Sequence, residues 1–405
     1  MKTKVITGGI AAPIGFTASG MHCGIKKRKY DLSLIYSESP CVAAGVFTTN
    51  NVKASCVVVN AKHLADGKAQ AIIANSGNAN CMTGLRGFVD SEKMAKVAGR
   101  ALGIAAGDVC VASTGLIGKA LPIQNIEKAI PELVSALDKK GSADAAMGIM
   151  TTDHVRKEVA VEFLIGGKKA RIGVIAKGAG MIHPQMALPH ATMLCFVSTD
   201  VSIALPALHA ALDAATQNSF NMITIDGDMS TNDMVLVLAN GMAGNKKIVK
   251  GSKDLKVFTE TLEHVFQTIA QRIVSDAEGA TKFVEVAVRG ARSLQDARKA
   301  ARGIASSNLV KSALYGSDPN WGRIAAAVGS SGARVDQSKM MIYLGKELAV
   351  QKGGPVKKAR GILDRVFAKK EIRITVDLGL GRHAASAYTC DLSKAYVELN
   401  SAYHT

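Results

Sequence analysis

Apolar positions in this chain fall into short runs bounded by Gly, Pro and Asn, with a few long amphipathic stretches between them. LSLIYSE (32–38), CVAAGVFTT (41–49), SCVVVN (55–60) and AQAIIANSG (69–77) predict strands, separated by Ser-Pro, Asn and Gly turn signals. A helix is predicted over 91–105 and a strand over DVCVAST (108–114). NIEKAIPELVSALDKKG (125–141) has the period of an amphipathic helix. VAVEFLIGGKKARIGVIAKG alternates and turns at Gly166-Gly167, which predicts a hairpin that ends by Lys177. Met193 to Val197 is an unbroken apolar run that predicts a buried strand. Helices are predicted near 205–219, over 255–275 and over 293–304. Strands are predicted over 284–288, 339–345, 371–379 and 384–393. For the last residues, YVELNSAYHT, a frayed tail is the expectation.

With 405 residues the chain is too long for one small core, and two lobes or one large α/β domain are expected. Hydrophobic content of 48% with only 4% aromatics describes a globular protein built from Ala, Val, Ile and Gly rather than a disordered chain. No apolar run is long enough to span a membrane, and the apolar part of the N-terminus is broken by Gly and Pro, which argues against a secretory signal. The seven cysteines show neither CxxC nor Cys/His ligand spacing, so reduced thiols in the cytoplasm are expected rather than disulfides or zinc. The net charge of +17 raises nucleic acid as a partner. The basic residues are dispersed, however, with one tight cluster at Lys26-Lys27-Arg28-Lys29 and few aromatics for base stacking, so no nucleic-acid binding is expected. A positive field also draws small dicarboxylates toward a cleft.

Candidate chemistry centres on KGAGMIHPQMALPHATMLCFVSTD (177–200), where a Gly- and Pro-rich loop feeds a core strand. A hydroxyl at Thr192 would be held rigidly at the edge of the core, as a nucleophile requires, although Thr is also an ordinary strand former. Thr114-Gly115 follows a strand, and a Gly there lets a hydroxyl and a backbone N–H converge on one oxygen. An oxyanion hole, a phosphate site and a plain turn all remain open at that position. Lys177 is a surface charge or a point charge for a substrate carboxylate. TIDGDMSTND (224–233) is rich in carboxylates but departs from the EF-hand pattern, and a structured loop without metal is expected. Glu278 lies in a Gly-bounded turn between a helix and a strand. Trp321 reads as a packing residue under a turn.

These motifs resemble the ArgJ family. The likeness rests on KGAGMI followed by Ala-Thr-Met-Leu and Thr-Asp, and on ASGMHCGIKK, AAGVFTTN, NSGNANCMTG, GDMSTND and DPNWGRI. The resemblance implies a layered α/β fold of the ArgJ/DmpA type, with helices flanking β-layers and a self-cleaved N-terminal nucleophile. It implies a cut between Ala191 and Thr192, giving pieces 1–191 and 192–405, and a heterotetramer with two copies of each. Thr192 would carry the acetyl group, with Thr114 and Gly115 as oxyanion hole and Thr152, Lys177, Glu278, Asn400 and Thr405 around the substrate. The implied activity is glutamate N-acetyltransferase, with N2-acetylornithine as donor, in arginine biosynthesis. No cofactor is implied, and acetyl-CoA is a possible second donor. Two other readings are an N-terminal-nucleophile amidase and an uncleaved amino-acid-binding module. The chain departs from the family pattern by extra residues between Pro184 and Ala191, where His190 is a candidate proton shuttle.

Overall fold

A computed structural model describes residues 3–187, 193–357 and 360–402 of the chain. It opens with β1 (Lys4–Ile6), β2 (Phe16–Met21), the long β3 (Leu32–Thr48), α1 (Ser55–His63), β4 (Lys68–Asn78) and α2 (Gly84–Leu102). Then come β5 (Val109–Leu116), α3 (Ile123–Ser135), α4 (Ser142–Ile149) and the hairpin of β6 (Lys157–Ile165) and β7 (Lys168–Lys177). Next are β8 (Met186–Ala187), β9 (Leu194–Thr199), α5 (Leu205–Gln217), β10 (Met234–Ala239) and α6 (Lys253–Ser275). The rest comprises β11 (Phe283–Ala291), α7 (Leu294–Ala305), α8 (Asn308–Tyr315), α9 (Trp321–Ser330), β12 (Met341–Leu344) and β13 (Glu347–Gln351). It ends with β14 (Gly354–Pro355), α10 (Arg360–Phe367), β15 (Glu371–Asp377), β16 (His383–Cys390) and α11 (Lys394–Ser401).

The first ten strands form one mixed sheet in the order β1-β6-β7-β9-β10-β3-β4-β5, with β2 and β8 also paired to β3. Its centre is buried on both faces, which is why β9 and β10 read as apolar without alternation. Leu194 and Phe196 of β9 enter one core with the apolar faces of α1 to α4. Cys195 and Val197 enter a second core against α5 and α6. The other six strands form a second sheet, β14-β13-β12-β15-β11-β16, whose Val284, Val286, Ile372 and Ile374 pack with α7, α8 and α9 in a third core. The architecture is α/β, with helices flanking both sheets. Among the described residues, no helix is long and apolar enough to cross a membrane.

Three local expectations need correction. SCVVVN (55–60) is not a strand but most of α1, with Cys56, Val57, Val59 and Asn60 buried and Val58 exposed. There Asn60, fully buried, donates to the Val111 carbonyl at 2.7 Å and accepts from the Val111 N–H at 2.8 Å, satisfying the backbone of β5. The two strands expected over 32–38 and 41–49 are a single β3, whose pairing with β4 shifts register between Tyr36 and Cys41. Lys394–Ser401, most of it within the tail expected to fray, forms α11, which starts on a Ser393 cap that accepts from the Tyr396 N–H.

Candidate active site

Strand ends meet loops at one end of the first sheet. Parallel pairing of β4 with β5 sets Gly77 beside Gly115. The approach is so close that a Cβ on Gly115 would lie 2.3 Å from the Gly77 carbonyl carbon, and φ there is 134°. Only glycine fits such a place, next to the buried Thr114 at the strand end. β7 ends at Lys177, which pairs with Leu194 at the start of β9. Lys177 is buried rather than solvated, and its Nζ donates to Thr114 Oγ1 at 3.2 Å.

From the other side, the turn after α6 presents Glu278, whose Oε2 accepts from Asn400 Nδ2 of α11 at 3.0 Å. Thr114, Gly115, Thr152, Lys177, Glu278 and Asn400 all line a single cleft of about 570 Å³. Five stretches far apart in sequence are thus brought together. Thr192, Ala191, His190 and Thr405 lie outside the described residues. Met193, next to Thr192, is buried, lines the cleft and has φ 103°, a conformation that L-residues rarely adopt.

The loop before Thr192 is fastened at several points. The Asp226 carboxylate accepts from the N–H groups of Met181 and Ile182, and Thr49 Oγ1 donates to the Gln185 carbonyl. Arg302 of α7 donates to His183 Nε2 at 2.9 Å, which leaves Nδ1–H of the neutral ring to meet Thr224 Oγ1 at 3.0 Å. Burial, and then the Arg302 guanidinium, hold His183 down to about 4. Part of the added segment, Met186–Ala187, pairs with Phe47 and Thr48 of β3.

Several cleft residues escaped the sequence reading. Thr231 and Asn232 of the carboxylate-rich loop line the cleft, and Asn232 Nδ2 donates to the carbonyls of Ala79 and Ser113. Asp153, Lys157 and Asp276 form a buried charge cluster behind Thr152. Their only signal in the sequence was an Asp and a Lys four residues apart, which most often marks a solvated pair. Among the described residues, no group of three or more His, Cys, Asp or Glu side chains is arranged to hold a metal ion. A larger hollow, about 1100 Å³, lies on the outer face of the second sheet. Its arginines are already matched across strands, Arg289 with Asp377 and Arg373 with Glu285.

The ArgJ family model matches residues 17–405. The arginine biosynthesis bifunctional protein ArgJ of Symbiobacterium thermophilum is 48% identical, over 99% of both chains. That of Caldanaerobacter subterraneus subsp. tengcongensis is 46% identical, over 99% of this chain and all of its own. A solved chain, the arginine biosynthesis bifunctional protein argJ of Bacillus halodurans, is 39% identical with a TM-score of 0.50. That match covers 51% of this chain and 98% of the solved one.

Proposed function

The chain belongs to the ArgJ family, and from that premise we propose that it is a self-cleaving glutamate N-acetyltransferase of arginine biosynthesis. It moves the acetyl group of N2-acetylornithine to glutamate through an ester on Thr192. One observation carries the reading: Thr114, Gly115, Thr152, Lys177, Glu278 and Asn400 converge on a single cleft that Met193, just before β9, also lines.

In the proposed sequence, the Thr192 hydroxyl first attacks the Ala191 carbonyl, and the C–N bond between the two residues breaks to free the Thr192 α-amine. Water then opens the resulting ester, releasing the Ala191 carboxylate and restoring the Thr192 hydroxyl. An α-amine has an unperturbed pKa of about 7.7–8.0 and serves as the general base for its own hydroxyl. The hydroxyl then adds to the acetyl carbonyl of N2-acetylornithine. The Thr114 O–H and the Gly115 N–H stabilise the oxyanion. Collapse breaks the amide C–N bond, the α-amine passes its proton to the leaving nitrogen, and ornithine departs. The glutamate α-amine attacks the acetyl ester, expels the Thr192 oxygen and yields N-acetylglutamate. Thr152, Lys177, Glu278, Asn400 and Thr405 hold the amino-acid part of donor and acceptor, with the Glu278 carboxylate as partner for an ammonium group.

Acetyl-CoA is proposed as a second donor of the acetyl group. Assembly from two copies of each piece, in the cytoplasm, completes the proposal. Seven free cysteines, six of them buried, fit a reducing compartment.

The test is denaturing intact-mass analysis of purified protein, followed by an acetyl-transfer assay. Two pieces that divide between Ala191 and Thr192, with acetyl passing from N2-acetylornithine to glutamate, are expected. A chain that stays whole and binds without turnover would overturn the reading in favour of a binding module. Release of acetate without transfer would make it an amidase.

A further inference from the structure

Lys157 opens β6 with its side chain fully out of water. Its ammonium sits between two carboxylates, Asp153 Oδ1 at 2.7 Å and Asp276 Oδ2 at 2.6 Å. Burying a cation is tolerated when it is paired and fully hydrogen-bonded, as here. Two carboxylates against one ammonium leave one negative charge over, and each carboxylate also binds backbone. Asp276 accepts from the N–H groups of His154 and Val155. Asp153 Oδ2 accepts from the Thr151 N–H at 3.0 Å, and Oδ1 accepts from the Gly178 N–H at 2.8 Å.

Gly178 follows Lys177 directly, so Asp153 grips the strand end that aims Lys177 at Thr114. Burial alone would raise the Asp153 carboxyl, but the Lys177 and Lys157 ammonium groups and the Gly178 amide outweigh it and hold the group at about 2. Asp153 therefore stays ionised beside a buried Lys177. A hydroxyl that accepts from Lys177 keeps its own proton free to donate. Thr114 is such a hydroxyl.

We propose that Asp153, seated on Lys157, is a positioning residue for acyl transfer: it holds Lys177 on the Thr114 oxygen, so that the Thr114 proton faces the developing oxyanion. The inference rests on the acyl-transfer reading above. It concerns a residue that touches no substrate and acts through Lys177.

Asp153→Asn removes the charge and leaves Lys157 paired with Asp276. Losing a direct oxyanion donor costs about 10²–10³ in kcat, so an effect at one remove is expected at about tenfold. The test compares four proteins, wild type, Asp153→Asn, Lys177→Met and the double variant, per cleaved chain. Single-turnover formation of the acetyl-enzyme, followed by intact mass, keeps slow variants measurable. Where a variant cleaves slowly, the same comparison is read on the rate at which the two pieces appear.

Asp153→Asn is expected to lower kcat about tenfold while KM for each substrate moves less than about threefold, and to add less than about twofold once Lys177 is Met. An equal loss in both backgrounds, or an unchanged kcat, would overturn the proposal. Wild-type protein that transfers no acetyl group would sink the functional reading itself. An active wild type with additive variants would sink only this inference.

Discussion

Thr114 has one oxygen and one proton, and its surroundings allot them separately. Lys177 fills a lone pair, which keeps the proton for whatever enters the cleft. The same economy governs Asp153, whose two oxygens serve the Lys157 ammonium and the Gly178 and Thr151 amides. An acid held near 2 when folded, against an ordinary value of 3.8, adds stability that is fully present above about pH 4. That stability is lost as pH falls through about 2 and amounts to roughly 2 kcal/mol. Urea unfolding between pH 6 and pH 2.5 is expected to show a gap between wild type and Asp153→Asn that narrows on acidification. A gap independent of pH would mean that the Asp153 charge is not what stabilises the fold.

At the level of elements, the site depends on how closely α11 lies against the turn that holds Glu278. Gly279 has φ 65°, and a Cβ there would sit 2.4 Å from the Tyr396 nitrogen inside α11. Gly279→Ala must push the helix away and carry Asn400 off Glu278. A positive φ costs a non-glycine residue roughly 1–2 kcal/mol before the collision is counted. The expected outcome is a lower melting temperature and a KM for N2-acetylornithine raised several-fold. Unchanged KM in a destabilised protein would show that Asn400 does not bear on substrate. This contact was invisible in the sequence, where a Gly near a helix end and an Asn near the C-terminus stand more than a hundred residues apart. Long apolar runs were legible because burial on both faces removes polar positions, as in β9. α1 departs from what its Val-rich composition favours, since the fold buries Cys56, Val57 and Val59 there and seats Asn60 on the backbone of β5. Motif residues located the cleft. The buried charges behind it were hidden because lysine and aspartate are usually solvated, and only the tertiary structure shows otherwise.

For the whole molecule, the proposed cut between residues 191 and 192 divides the first sheet in an unusual way. β9 and β10 belong to the second piece, yet they lie between β7 and β3 of the first. β7 pairs with β9 and β3 with β10, each over six residues. Separating the pieces would break both ladders and open two cores at once. The pieces are expected to co-elute on size exclusion under native conditions and to part only in denaturant. Their separation in plain buffer would contradict this arrangement.

The interleaving also sets an order of events during synthesis. When residue 191 leaves the ribosome, the sheet still lacks two central strands, and the gap closes only after residue 239 has emerged. A peptide bond severed before then would strand two half-sheets with exposed edges, prone to aggregate. The proposed cleavage would be harmless only in a chain whose first sheet is already complete.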